Sequence, residues 1–159
     1  MRIRRFHAGE EPALCAVFHS SVHELARGDY TPQQLEAWAP PCLDEQLSAA
    51  WRARMQAIAP FVVETDHGDI AGYGDLQPTG YIDHFYVSGR YARQGVGTLL
   101  MQHLLSLARA QRVPLLTSDV SVTAQPFFER FGFRITERKL ATVRGVAMPN
   151  ARMELCLVR

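Results

Sequence analysis

The junction at residues 85–100 is the feature that most limits what this chain can fold into. An extended run leads through a short loop containing Gly95 and Gly97 into a segment with apolar residues at helical spacing, and residues 114–120 then predict another strand. A strand, a helix and a second strand in this order require parallel pairing of the two strands. The chain must therefore include a helical crossover that covers one face of a sheet.

The loop in this junction also favours binding of an anion. The first N–H groups of a helix lack intrahelical partners, and the helix dipole adds positive potential at the same end. Gly95 and Gly97 would let a phosphate approach the backbone without a Cβ in the way. The same pattern is also typical of an ordinary turn, so the loop by itself leaves both interpretations open.

The other segments predict strands and helices in alternation. Strands are expected at residues 3–6, 61–64, 70–76, 81–87, 114–120, 133–143 and 151–158, and helices at 9–25, 31–38, 44–57, 96–112 and 123–132. Thr31 and Gln34 form a capping box with proline at the first helical position. Because some neighbouring strands can pair antiparallel and others need a crossover, we expect a mixed twisted sheet covered by helices.

Composition indicates one domain, residues 1–159. The chain has 159 residues, of which 47% are hydrophobic, and its net charge of +1 gives no field for nucleic acid. We interpret the arginines at residues 2–5 as solvated side chains of an edge strand. No apolar run is long enough to span a bilayer and no secretion signal begins the chain, so we expect a cytoplasmic protein without nucleic-acid or membrane partners.

The three cysteines form neither a Cys-x-x-Cys clip nor a metal set with the six histidines. Cys15 and Cys156 lie in apolar segments, which predicts buried thiols. Cys42, between Pro41 and Leu43, is interpreted as a loop thiol. We therefore expect no metal site.

Three motifs occur together in a recognisable order. A strand end at 85–87, the loop Arg-Gln-Gly-Val-Gly-Thr at 93–98 and the sequence Phe-Phe-Glu-Arg-Phe-Gly-Phe at 127–133 resemble the GNAT superfamily of N-acetyltransferases. The resemblance covers most of the chain, and residues 80–87 and 124–130 are particularly similar to YafP-type bacterial members. It implies a GNAT-like α/β fold, with a twisted mixed sheet of six to seven strands and helices on both faces.

The resemblance also implies a donor and its binding residues. Acetyl-CoA would be the acyl donor, and its pantetheine would pair like an added strand with Phe85, Tyr86 and Val87. Its pyrophosphate would bind the backbone amides of Arg93, Gln94, Gly95, Val96, Gly97 and Thr98. The chain departs from the family pattern at Ala92, where a polar residue is usual, but backbone contacts do not depend on that side chain.

Two further positions match the family less closely. Ser121 stands where relatives often have an asparagine that touches the cofactor, although its hydroxyl could instead cap the following helix. Phe128 stands where relatives have a tyrosine that protonates the departing thiolate. A phenyl ring cannot donate a proton, so the role passes to another group or to solvent, and a CoA thiol is a tolerable leaving group.

An alkylammonium acceptor must lose a proton before it can attack a thioester. With a pKa near 10.4, only about one such molecule in a thousand is a free amine at neutral pH. In a single strand over 81–87, Tyr81, Asp83 and Phe85 share a face, and members of the family often carry their base on this strand. Asp83 is the first candidate base. His84 is the second, and Tyr81 could carry a water in a proton relay.

Charge develops on the carbonyl oxygen during that attack. The backbone N–H of Tyr86 or Val87 on the splayed strand could stabilise the resulting oxyanion.

The acceptor is the least specified partner. A primary amine of a small molecule or peptide is expected, and a monomer and a homodimer are both compatible with the sequence. Tyr30 and Trp38 could form an aromatic wall for it, although the sequence favours core packing as the role of Trp38 and Trp51, because large aromatic side chains dominate the cores of small domains.

Two other hypotheses remain beside direct transfer in a ternary complex. A non-catalytic acyl-CoA sensor would explain Phe128 and Ala92. A covalent cysteine mechanism would require Cys42 to fold toward the donor, since no cysteine lies near the donor segments in sequence.

Overall fold

The structure, a computed structural model, describes residues 1–42 and 45–157. The predicted helix start at Asp44 and the predicted strand end at Val158 lie outside these residues. The helices are α1 Glu11–Ser20, a π-helical turn Ser21–Leu25, α2 Pro32–Trp38, α3 Glu45–Ile58, a 3-10 turn Gly89–Tyr91, α4 Val96–Ala110 and α5 Gln125–Arg130. The strands are β1 Arg2–Arg5, β2 Phe61–Glu64, β3 Ile70–Gly74, β4 Tyr81–Ile82, β5 Phe85–Val87, β6 Leu115–Ser121, β7 Arg134–Val143 and β8 Val146–Cys156.

Within the described residues the strands form two four-stranded sheets. The first has the order β1-β2-β3-β5, and all of its neighbours pair antiparallel. The second has the order β4-β6-β8-β7, in which β4 and β6 are parallel and the other pairs are antiparallel. The parallel pairing across the α4 crossover and the mixed α/β fold are thus confirmed.

The predicted single strand over 81–87 is wrong. It consists of β4 and β5, which belong to different sheets, so the described residues contain eight strands where six to seven were expected. Two non-strand residues, Asp83 and His84, separate them. The argument that Tyr81, Asp83 and Phe85 share one face of a continuous strand therefore does not hold.

Helices cover both faces of the first sheet, as predicted. Adjacent residues of a strand point to opposite faces, and on β2 Val63 packs with Leu100 of α4, whereas Val62 packs with Leu14 of α1 and Met55 of α3. All five side chains are fully buried. Burial of apolar side chains on both faces of the sheet fixes its position between α4 and the α1–α3 pair.

The start of α2 has the hydrogen bonds that its sequence predicts. The Thr31 side chain accepts the Gln34 N–H at 3.2 Å, and the Gln34 side chain accepts the Thr31 N–H at 2.8 Å. This is the predicted capping box. The first predicted helix ends as α1 at Ser20 and continues as a π-helical turn to Leu25.

The expectation of buried thiols is wrong for both cysteines. Cys15 forms a disulfide with Cys42, which joins α1 to the loop before α3. Cys156 is exposed because it shares a strand face with Glu154, opposite the buried Met153. None of the helices in the described residues has the length and apolar character needed to cross a bilayer.

Candidate active site

The path of the chain from β4 to β5 is set by the carboxylate of Asp75. This side chain is buried, and its Oδ1 accepts the backbone N–H of Asp83 at 2.9 Å and that of His84 at 2.7 Å. These bonds satisfy two backbone donors that a continuous strand would pair. The chain therefore leaves one sheet after Ile82 and enters the other at Phe85, which opens a slot between β5 and β6.

One edge of β5 faces this slot. The carbonyl of His84 and the N–H of Ser88 are bonded to the β3 side. Because antiparallel strands exchange hydrogen bonds at every second residue, the backbone of Tyr86 also faces β3. The N–H and C=O groups of Phe85 and Val87 therefore point into the slot, where an extended ligand could pair with them.

The glycine loop turns into α4 beside this edge. Arg93 and Gly95 are in the left-handed region, with φ of 60° and 84°, and Val96 is the first helical residue. A Cβ added to Gly97 would lie 3.2 Å from the ring of Phe127, so the loop packs closely on α5. The free N–H groups of the first turn of α4 fit a phosphate group.

A cavity of about 400 Å³, which we call the loop cavity, lies along these N–H groups. The residues expected to bind the donor that line it are Phe85, Tyr86, Val87, Arg93, Gly95, Val96, Gly97, Thr98 and Ser121. Gln94, also expected there, does not line it, and its side-chain amide donates to the carbonyl of Arg90.

Ser121 and Phe128 have structural contacts of their own. The Ser121 hydroxyl accepts the N–H of Ala124 at 3.2 Å, immediately before α5, which is the capping role considered above. Phe128 is buried, with its ring edge-on to Phe85 at 5.5 Å and to Phe133 at 5.0 Å. It is a core residue that also lines the neighbouring cavity.

That neighbouring cavity, the sheet cavity, has a volume of about 130 Å³ and lies between β5, β6 and the β7–β8 hairpin. It shares Phe85, Tyr86 and Ser121 with the loop cavity. Two carboxylates line it, Asp83 and Asp119. Asp119 is 3.1 Å from the ammonium of Lys139, so its charge is partly offset.

Asp83 combines a fixed position with access to the sheet cavity. Its Oδ2 accepts hydrogen bonds from Nε and Nη2 of Arg54. Its Oδ1 has no hydrogen-bond partner among the described residues, and 24% of the side chain is exposed. One carboxylate oxygen is therefore held by the guanidinium while the other can meet a ligand.

His84 follows Asp83 and is largely buried, with 14% of its side chain exposed, in an aromatic cluster that includes Phe18 and Trp51. Its Nδ1 lies 3.1 Å from the hydroxyl of Tyr73, and its Nε2 lies 3.7 Å from Oδ2 of Asp83. The buried Tyr73 hydroxyl has no other acceptor in the described part of the chain, so it donates to Nδ1 and the ring proton is on Nε2. Burial lowers the pKa of His84 to about 4, which makes the ring neutral at neutral pH.

Tyr81 is not part of either cavity wall. Its hydroxyl donates to Oδ2 of Asp119 at 3.2 Å. Burial and then the Asp119 charge raise the pKa of Tyr81 to about 12. This position suits a role for Tyr81 in orienting the Asp119 carboxylate better than the proton relay that the sequence suggested.

Tyr30 and Trp38 lie together on the wall of the sheet cavity, with ring centroids 5.4 Å apart. The Tyr30 hydroxyl donates to the carbonyl of Pro149 at 2.6 Å and accepts the N–H of Val122 at 2.9 Å. Tyr30 therefore has a structural role as well as a place in the wall. Trp38 is half-buried and lines the loop cavity too.

A third cavity of about 250 Å³ lies beside the Cys15–Cys42 disulfide, and we call it the disulfide cavity. Its wall includes Phe18, Trp38, Trp51, Pro40 and Pro41, together with Arg54 and Arg144. Trp38 lines all three cavities, so each of them borders this residue.

Sequence reasoning missed Asp75, Arg54, Asp119 and Arg144. Asp75 did carry a signal, because it is a carboxylate at the end of an otherwise apolar strand segment, 70–76. Arg54 carried none, since its contact with Asp83 joins residues 29 positions apart.

Comparison with known proteins gives the family. A model described as an acetyltransferase (GNAT) domain matches residues 26–155. The chain belongs to the GNAT acetyltransferase family. Membership confirms the predicted resemblance, the enzyme class of N-acetyltransferase and acetyl-CoA as the donor.

Individual relatives agree with this assignment. The uncharacterized N-acetyltransferase YafP of Escherichia coli strain K12 is 31% identical over 150 residues, which cover 94% of this chain and 92% of YafP. The crystal structure of a GCN5-related N-acetyltransferase from Rhodopseudomonas palustris has a TM-score of 0.90 and 30% identity, covering 98% of this chain and 95% of that one. The paia N-acetyltransferase from Thermoplasma acidophilum, crystallised with coenzyme A, has a TM-score of 0.71 at 15% identity over 98% of both chains and shows the shared fold.

Proposed function

We propose that this GNAT enzyme transfers the acetyl group of acetyl-CoA directly to a primary amine, and that Asp83 accepts the amine proton. The observation that carries this proposal is the position of Asp83 at the break between β4 and β5. There one carboxylate oxygen is held by Arg54, the other has no hydrogen-bond partner among the described residues, and the residue lines a cavity that adjoins the loop cavity.

The donor would be held mainly by backbone groups. The first turn of α4 and the loop residues 93–98 offer N–H groups for the pyrophosphate, and the free edges of Phe85 and Val87 offer strand-like pairing for the pantetheine. When bound, acetyl-CoA supplies a thioester carbonyl to the acceptor. Of the two N–H groups considered for the oxyanion, that of Val87 faces the slot and that of Tyr86 faces β3.

The carboxylate of Asp83 would bind the acceptor as an ammonium ion and take one of its protons. The amine nitrogen then forms a bond to the acetyl carbon, the carbon–sulfur bond breaks, and the sulfur leaves with the bonding pair. The nitrogen gives up its second proton as the amide forms, and the thiolate takes up this proton directly or through solvent. Overall, an ammonium ion and acetyl-CoA give an N-acetyl amide, the CoA thiol and one proton. Asp83 carries the proton to solvent, and a separate acid is not required because the thiolate is a stable leaving group.

Arg54 and His84 would act as positioning residues for this base. Arg54 fixes Oδ2 of Asp83 from one side, and the Nε2–H of the neutral His84 faces the same oxygen from the other. Because His84 presents a proton to Asp83, it does not compete as the base. We retain a cytoplasmic location, a single domain and a monomer or homodimer as predictions.

Acetyl transfer from labelled acetyl-CoA to a panel of small and peptide amines tests the proposal. We expect thiol release that depends on amine, with one labelled amide formed for each thiol, and no labelled protein when amine is omitted. Tight CoA binding with no amine-dependent thiol release would instead support the acyl-CoA sensor. A labelled cysteine on the protein would contradict direct transfer.

A further inference from the structure

The disulfide cavity is built differently from the two cavities that the proposed reaction uses. Its wall is apolar and aromatic, formed by Phe18, Trp38, Trp51, Pro40 and Pro41. Its volume of about 250 Å³ is below the range typical of drug-sized ligands, so it suits a group about the size of a side chain. Such a wall favours an apolar group over a polar one.

Two guanidinium groups border this apolar wall. Arg54 bonds Asp83 through Nε and Nη2, and its Nη1 has no hydrogen-bond partner among the described residues. Arg144 donates from Nη1 to the carbonyl of Ala37 at 2.6 Å, which leaves its Nε and Nη2 without partners in that same part of the chain. No carboxylate occurs in the described wall. Two arginines with unpaired guanidinium donors thus line one small apolar cavity, and a carboxylate is the group that such donors match best.

The backbone at Arg144 has a conformation that is unfavourable for arginine. It lies at φ 47° and is followed by Gly145 at φ 77°, in the two-residue turn between β7 and β8. A turn with two positive φ values normally takes Asn, Asp or Gly at its first position, and arginine there is strained. The strained turn brings the guanidinium across to α2, beside the cavity.

Arg54 connects this cavity to the proposed base. Arg54 lines the disulfide cavity, and its guanidinium bonds Oδ2 of Asp83, a residue that lines the sheet cavity. In a free α-amino acid only one carbon separates the carboxylate from the amino group. A carboxylate bound at Arg54 would therefore bring its own ammonium group close to Asp83.

We infer that the acceptor is a free α-amino acid with an apolar side chain, which lies in the disulfide cavity while its carboxylate pairs with Arg54 and Arg144. The inference rests on the proposed N-acetyltransferase function and specifies its substrate class. A peptide N-terminus lacks the charged carboxylate beside its amine, and a polyamine would meet two like charges at this wall. Neither matches the cavity as well as a free amino acid does.

Matched acceptors test the carboxylate directly. L-Phenylalanine, L-phenylalaninamide and phenethylamine share one aromatic body, and L-leucine, L-leucinamide and 3-methylbutylamine form a second set. We expect kcat/KM for each free amino acid to exceed that of its amide by about tenfold or more, as charge-assisted hydrogen bonds predict. Equal use of the amino acid and its amide would overturn the inference while leaving N-acetyl transfer intact.

Substitution of Arg144 tests whether its guanidinium causes the preference for a free carboxylate. Arg144→Gln is expected to reduce the ratio of kcat/KM for the free amino acid to kcat/KM for its amide toward one. Arg138→Gln removes the same charge from an exposed residue of β7 outside all three cavity walls, and it is expected to keep the wild-type ratio. A ratio that is unchanged in Arg144→Gln would contradict the assigned contact.

Fluorescence provides a measurement that does not depend on transfer. The two tryptophans of the chain, Trp38 and Trp51, both line the disulfide cavity. Titration with L-phenylalanine or L-leucine, with CoA present, is expected to change their emission at concentrations where the amides do not. Selective binding without acetylation would support the cavity assignment and refute the transfer proposal, whereas acetylation of amines with no preference for a carboxylate would do the reverse.

Discussion

The donor side and the acceptor side of the proposed site are built from different parts of the chain. The donor side uses backbone groups of two neighbouring segments, the edge of β5 and the loop 93–98. The acceptor side uses side chains from distant elements, namely Arg54 on α3, Asp83 after β4 and Arg144 between β7 and β8. Backbone sites depend on local conformation and side-chain sites on long-range contacts, so we expect single substitutions to affect the two sides separately.

The largest expected effect is on the acceptor side, at the proposed base. Asp83→Asn keeps the shape of the side chain but removes the carboxylate that takes the amine proton. We expect kcat to fall by about 10²–10⁴-fold, the usual contribution of a general base. Steady-state kinetics with saturating acetyl-CoA measure it. Asp119→Asn removes the other carboxylate of the sheet cavity and is the matched control, with an expected loss below about tenfold.

Removal of the disulfide is expected to have the next largest effect, which is a loss of stability. Cys15 and Cys42 are 27 residues apart, and a crosslink of this length stabilises a fold by about 3 kcal/mol through the unfolded chain. The Cys15→Ser, Cys42→Ser double variant is expected to lose about that free energy of unfolding, or about 10 °C in Tm for a chain of this size. Because the bond borders the acceptor side, the acceptor KM should rise while the Kd for CoA stays the same. A rise in the Kd for CoA with no change in the acceptor KM would contradict the assignment of the disulfide to the acceptor side.

Protonation of His84 gives a smaller, pH-dependent effect. Its pKa in the folded protein, about 4, lies below the value of about 6.5 expected when unfolded, so between these values the unfolded chain binds more protons. The contribution of the neutral His84 to the free energy of unfolding is therefore fully present above pH 6.5 and falls as the pH drops toward 4. At pH 5 the protein is expected to have lost about 2 kcal/mol of this contribution. Urea unfolding at pH 7.5 and pH 5 measures this difference. A His84→Asn variant should show a flatter dependence, and equal slopes in both proteins would exclude His84 as the cause.

The smallest expected effect belongs to the donor side. Gly95 has φ 84° with open space around a built Cβ, so Gly95→Ala strains the loop by about 1 kcal/mol without a clash. We expect the Kd for CoA to rise by up to about tenfold and the acceptor KM to stay constant. Gly68→Ala in the β2–β3 turn has the same strain, at φ 86° with open space, and is the matched control for CoA titration. An equal change of Kd in both variants would indicate a general loss of stability.

The same division explains what the sequence could predict. The capping box of α2, the buried face of α4 and the glycine loop are specified within a few residues, and each was predicted correctly as local structure. The interruption of strand 81–87 depends on Asp75, and the Arg54–Asp83 and Cys15–Cys42 contacts join residues more than 25 positions apart. Such contacts follow from tertiary packing, which has no periodic signature in the sequence.

Calorimetric titration of the wild type and Asp83→Asn with CoA, alongside transfer rates for the same two proteins, tests the central claim most directly. The donor side is assigned to backbone groups of Phe85, Val87 and residues 93–98, and the chemistry to the carboxylate of Asp83. We therefore predict that the two proteins bind CoA with the same Kd, within a factor of about two, while only the wild type transfers acetyl groups at its full rate. Full transfer by Asp83→Asn, or loss of its CoA binding, would contradict this account.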